Sequence, residues 1–113
     1  MAVQRGEIYW IDFNPSRGSE QARRRPGLVV RNDRGNRSSS TTVIAAISSA
    51  PLPRAYPFTV PLSAGEGGLR KASFVNCSQL LTVDQSRLVE RIGQLDDQCM
   101  QQVRAALRFE LDL

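Results

Sequence analysis

Seven of the fourteen arginines in this chain crowd one stretch, and only one lysine occurs anywhere. Arg17, Arg23, Arg24, Arg25, Arg31, Arg34 and Arg37 stand there against Glu20 and Asp33, a local charge of +5 over residues 17–37. The rest of the chain carries eight cations and nine anions, so the net charge of +4 originates in this region. A guanidinium presents a planar fork of donors that grips a phosphate bidentately or stacks on a base; an ammonium does neither. A polyanion is the counterpart such a region suits. The plainer alternative is a solvated charge run that binds phosphate and does no chemistry.

The chain contains no histidine. That removes the usual general base near neutral pH and the simplest nucleophilic triads. What stands in or near the basic segment is Glu20, Arg25 and hydroxyls such as Ser19 and Ser48. This set suits a substrate that brings its own nucleophile. RNA does so through its 2′-hydroxyl, so cleavage needs in-line orientation and cationic donors on the phosphorane. DNA lacks that hydroxyl, so a metal-free nuclease made of these parts prefers RNA. Each part also has a structural reading: Glu20 paired with an arginine across its loop, Ser48 and Ser49 ending a strand. Cys77 and Cys99 have neither metal-ligand spacing nor a histidine nearby, which argues against a zinc site of the usual type. They read as small buried residues of a reducing compartment. The N-terminal residues have no apolar signal core and no stretch reaches membrane-spanning length, so a cytoplasmic protein without membrane contact is expected.

At 113 residues one domain over 1–113 is expected. Residues 7–13, EIYWIDF, alternate and are rich in branched and aromatic side chains, which predicts a first strand ended by Asn14-Pro15. Residues 16–25 lack periodicity and are expected to form a long exposed loop of the kind that often carries function. Further strands are predicted over 26–30, 42–47, 58–62 and 71–76, with Pro61 placing the fourth of these five at an edge. Asn32-Asp33 and Gly35-Asn36 read as a turn. Residues 87–95 fit strand or helix equally. Asp96 reads as an N-cap, with Leu95 and Met100 as a hydrophobic staple. Met100, Val103, Leu107 and Leu111 then recur at helical spacing and predict a C-terminal amphipathic helix over 97–110, its stripe packing into the core or a dimer. The sum is a mainly β fold, a small barrel or strongly curled antiparallel sheet closed by a helix, with a concave face beside the basic loop.

The segments GSEQ (18–21), RRP (24–26), ND-GNR (32–37) and AAI-S (45–48), in this order and spacing, resemble the MazF/PemK family of toxin endoribonucleases. The resemblance runs through GLRKASFVNCSQLLTVDQSRLVERIGQLDDQCMQQV and covers nearly the whole chain. It implies an SH3-like barrel with added short helices, working as a homodimer without cofactor or metal. It implies sequence-selective cleavage of single-stranded RNA by 2′-hydroxyl attack, leaving 2′,3′-cyclic phosphate and 5′-hydroxyl ends. It also implies a cognate antitoxin whose C-terminal segment occupies the RNA groove. The family's catalytic arginine falls on Arg25, its catalytic hydroxyl on Ser48 and its loop carboxylate on Glu20, with either Glu20 or Arg25 as general base. Ser19 and Gln21 match loop positions that touch RNA and Gln79 matches a groove residue; Arg24 and Ser49, beside the catalytic positions, complete the expected RNA-binding set. The chain departs from the family pattern in three places. Ser48 stands where threonine is usual, Arg23 where glycine is frequent, and Ser78 and Leu81 where many members have glutamate and arginine. The last pair bears on the base contacts and hence on the cut motif. Two rival readings share the residues: a non-catalytic toxin of the same fold that binds DNA gyrase through its C-terminal helix, and a plain RNA-binding module.

Overall fold

Alternating branched residues dominate the first half of the chain, and they pair into one antiparallel sheet. The structure is a computed structural model that describes residues 2–13, 24–52 and 54–113. Six strands, β1 (Glu7–Asp12), β2 (Arg24–Val29), β3 (Thr41–Ser48), β4 (Thr59–Leu62), β5 (Ser73–Asp84) and β6 (Leu88–Gln94), lie in the order β4-β5-β3-β2-β1-β6. The expected curled antiparallel sheet with a C-terminal helix is present. β4 and β6 remain edges, so the barrel does not close through hydrogen bonds. Pro61 sits in β4, at an edge where a missing N–H costs no ladder bond.

The sheet buries a cluster on each face. Leu28 and Ala45, paired across β2 and β3, belong to the larger cluster, which also contains Val75, Cys77 and Val103. Val29 and Ile44, the next pair along, join Ile11 in the smaller cluster on the other face. Helix α2 (Asp97–Leu111) covers the larger cluster with Cys99, Val103 and Ala106. The Asp96 carboxylate accepts the Cys99 N–H at 2.8 Å, so the expected N-cap is in place. The apolar stripe sits slightly differently from its sequence reading. Cys99 and Ala106 flank Val103 at its centre, and Leu111, expected within it, is 52% exposed.

Four further segments differ from the sequence reading. Arg24 and Arg25, expected in the loop, begin β2 because they pair with Asp12 and Ile11 of β1. The polar run expected as a turn is a short helix, α1 (Asp33–Ser38), capped by the Asn32 side chain, which accepts the Gly35 N–H at 2.8 Å. Asn36 within it is fully buried and accepts a 2.6 Å hydrogen bond from the Thr42 hydroxyl. The strand expected over 71–76 starts at Ser73 and runs on to Asp84. Residues 88–94, ambiguous in sequence, form a strand because they pair with β1.

Candidate active site

Arg25 and Ser48 come from neighbouring strands, β2 and β3, and border the same clefts. β2 pairs with β3 through Val29↔Ile44, Leu28↔Ala45 and Gly27↔Ala46, and that pairing ends where Pro26 has no N–H to offer. Arg25 and Ser48 each lie two residues beyond its last pair, Gly27↔Ala46. The two strand ends thus part from each other, while Arg25 stays paired with Ile11 of β1 and Ser48 with Phe74 of β5. Arg25 is exposed and pairs with Ile11 on its other side, across β1.

The two side chains border two adjoining clefts. One, of about 880 Å³, is lined by Trp10, Arg25, Ser48, Ser49, Arg70 and Lys71 among others. The second, of about 700 Å³, is lined by Arg25, Ser48, Phe74, Asn76, Ser78 and Gln79 among others. The Ser48 hydroxyl accepts the Ala50 N–H at 3.1 Å, which fixes its oxygen and leaves its O–H to donate. The arrangement therefore offers a guanidinium and a hydroxyl donor converging on one concave site, the geometry that stabilises a pentavalent phosphorane.

A bulge in β5 builds the wall of the second cleft. Ala45 pairs with Leu80, but Ala46 pairs with Asn76, so one step along β3 spans four along β5. Of the three extra residues, Cys77 turns into the core, while Ser78 and Gln79 are exposed at the cleft. The Asn76 carboxamide oxygen accepts both the Ser78 N–H at 3.0 Å and the Ser78 hydroxyl at 2.6 Å, which ties the bulge into one shape.

Of the other expected site residues, Ser49 lines the first cleft and Gln79 the second. Arg24 opens β2 opposite Asp12 and borders neither cleft. Ser19, Glu20 and Gln21 lie outside the described residues. Neither cysteine is a nucleophile near neutral pH. Burial, with a small like-charge effect from Glu110, pushes the Cys77 thiol up to about 11. Burial and a hydrogen bond to Glu66 push the Cys99 thiol up to about 12. Sequence reasoning missed Trp10, Arg70 and Lys71 as cleft residues, because only the fold brings them beside Arg25. An exposed tryptophan within an otherwise regular strand pattern carries no local signal of its neighbours.

The family model for the PemK-like, MazF-like toxin of type II toxin–antitoxin systems matches residues 4–111. The chain belongs to this family. Endoribonuclease EndoA of Bacillus subtilis (strain 168) is 40% identical over 113 residues, which spans 100% of this chain and 97% of EndoA. An endoribonuclease from a mycobacterial species shares the PemK/MazF-type fold at TM-score 0.81 and 22% identity, covering 100% of this chain and 94% of that one. A mycobacterial endoribonuclease in complex with its cognate antitoxin does so at TM-score 0.80 and 23% identity, with 99% and 97% covered. In this PemK/MazF-type chain, Arg25 and Ser48 therefore meet on a sheet whose fold recurs in solved endoribonucleases.

Proposed function

We propose that this chain is the toxin of a type II toxin–antitoxin pair, a metal-independent endoribonuclease that cuts single-stranded RNA at a short sequence motif. Residues 1–113 act as one toxin domain, in the cytoplasm, as a homodimer restrained by a cognate antitoxin. The observation that carries the reading is the convergence of Arg25 and Ser48 on one cleft in a chain of this family. In the reaction the ribose 2′-oxygen attacks the adjacent phosphorus and the 5′-oxygen leaves with its bonding pair. The 2′-hydroxyl proton passes to Glu20 or through Arg25, and a proton returns to the leaving oxygen. The products are a 2′,3′-cyclic phosphate and a 5′-hydroxyl. Arg25 stabilises the phosphorane charge and Ser48 donates its hydroxyl hydrogen to a phosphoryl oxygen. Ser19, Gln21, Arg24, Ser49 and Gln79 hold the RNA around the cut.

Incubation with a long single-stranded RNA in EDTA is the direct test, with end analysis of the fragments. The expected outcome is fragments with cyclic-phosphate and 5′-hydroxyl ends, and loss of cutting by about 10²–10³-fold in Arg25→Ala at unchanged melting temperature. Cutting only after magnesium is added would overturn the proposed reaction. Binding with steep salt dependence and no cutting would make the chain an RNA-binding module instead.

A further inference from the structure

The two clefts that meet at Arg25 and Ser48 differ in chemistry. Among its described lining residues the second holds one charge, Arg25, and otherwise two amides, two hydroxyls and apolar groups. Among its described lining residues the first holds Arg25, Arg70, Lys71 and Arg91 against Glu90 alone. Arg91 also serves Glu7, its Nε lying 2.9 Å from that carboxylate. Arg70 and Lys71 are both exposed. The same cleft displays Trp10, 39% exposed and the single tryptophan of the chain. A cationic groove with an exposed ring is the surface on which an unpaired nucleic-acid strand lays its backbone and stacks a base.

The cationic wall is built rather than incidental. It leaves the 3-10 turn Glu66–Gly68, which lies tight against β6. A Cβ at Gly93 would fall 2.1 Å from the Gly67 carbonyl oxygen, and one at Gly68 (φ +86°) would fall 2.5 Å from that of Ile92. On the other side, the Glu66 carboxylate accepts the Ser63 N–H at 2.6 Å and the Cys99 thiol at 3.0 Å. Leu69, next in the chain, is buried. The backbone that delivers residues 70 and 71 is thus pinned from strand and helix alike, and the cations enter the cleft from a fixed position. Fixed donors lose less entropy on binding than donors on a free loop.

We propose, resting on the RNA-cleaving reading, that Trp10, Arg70 and Lys71 form a subsite for the RNA that flanks the cut. Trp10 stacks an unpaired base, and Arg70 and Lys71 neutralise the phosphates that lead away from the scissile bond. The neutral cleft beyond the bulge, with Asn76, Ser78 and Gln79, is left to read base edges. The RNA therefore runs from a cleft of amides, over Arg25 and Ser48, into a cleft of cations.

The test uses the full chain and a 2′-O-methyl RNA of the mapped cut sequence, extended by four nucleotides on each side. Trp10 emission reports on the cleft directly, because no other tryptophan is present. Saturable change of that emission on RNA addition is expected. Arg70→Ser/Lys71→Ser should weaken binding about tenfold near 0.1 M salt. It should also flatten the slope of log affinity against log salt by about 1.4, two phosphates' worth for a single strand. Trp10→Leu should weaken binding about tenfold without changing that slope, and Trp10→Phe should restore most of the loss. If the Leu variant does not fold, the change of Trp10 emission in the wild-type protein on RNA addition decides instead. Wild-type protein that cuts RNA while Trp10 emission and the affinities of these variants stay unmoved overturns the subsite. So does Trp10 emission that responds to an acidic antitoxin peptide and not to RNA, which would assign the cleft to the antitoxin. Wild-type protein that cuts no RNA is the separate result that removes the underlying reading.

Discussion

A serine at position 48 has no γ-methyl to restrict its χ1, as a threonine would. Its local hydrogen bond compensates. Oγ accepts the Ala50 N–H at 3.1 Å, which favours that rotamer and leaves the O–H available to donate elsewhere. Arg25 needs no such restraint, since its backbone continues a strand whose next residues are in the core. Two variants separate the hydroxyl from the scaffold. Ser48→Ala is expected to lower kcat about 10²-fold with little change in KM, because the donated hydrogen bond matters most at the phosphorane. Ser48→Thr is expected to keep or raise kcat, since it returns the methyl and retains the oxygen. Single-turnover cleavage of one labelled RNA measures both; an unchanged rate in Ser48→Ala would remove the hydroxyl from the chemistry.

At the scale of elements, the site depends on features that interrupt regular structure. β5 needs its bulge to turn Ser78 and Gln79 toward the cleft, and the bulge is also why the strand is hard to read. Val75 and Cys77 face the larger cluster, yet beyond the bulge it is Leu80 that faces it. The two-residue period changes phase, so the run appears to stop at Asn76. Helix α2 shows the reverse case, a cap legible from Asp96 onward. The hydrogen bond from the Cys99 N–H holds the Asp96 carboxyl below the usual carboxylate range. Glu66, bonded by the Cys99 thiol and the Ser63 N–H, is lowered as well. A depressed carboxylate stabilises the fold above its unfolded pKa, about 4. That contribution is lost as pH falls through the folded value. Asp96→Ala is therefore expected to lower the urea midpoint at pH 7, and the gap to wild type should close in acid, below about pH 4. Asp96→Asn should retain most of the cap at pH 7 and lose that acid dependence. Urea titrations across pH check both; a gap that persists undiminished at low pH would deny the carboxylate its role.

At the scale of the whole molecule, charge and apolar surface divide the chain's tasks. The basic side chains at the clefts suit a polyanion, and the end of α2 leaves Phe109, Leu111 and Leu113 at 57%, 52% and 85% exposure. Apolar side chains left together at a helix end suit burial against another chain. The proposed homodimer should sediment at about 25 kDa, twice the 12.5 kDa of one chain, at micromolar concentration. A concentration-independent mass of one chain would refute the dimer without touching the active-site proposal. Among the described residues, no helix is long and apolar enough to cross a membrane.

What local sequence determined is what short-range physics controls. Alternation set β1, a β-branched apolar run set β3, Pro61 set an edge, Asp96 set a cap, and the motifs around Arg25 and Ser48 pointed to the pair of groups. These signals survive because each depends on neighbours within a few residues. Other features were decided only in three dimensions. Residues 33–38 became a helix because Asn36 is buried and takes the Thr42 hydroxyl as a partner. Residues 88–94 became a strand because β1 offered an edge. Trp10, Arg70 and Lys71 came to line one cleft with Arg25 and Ser48 because two strands and a glycine-tight turn converge there. A contact between residues sixty apart leaves no period in the chain; it exists only once the sheet has been assembled.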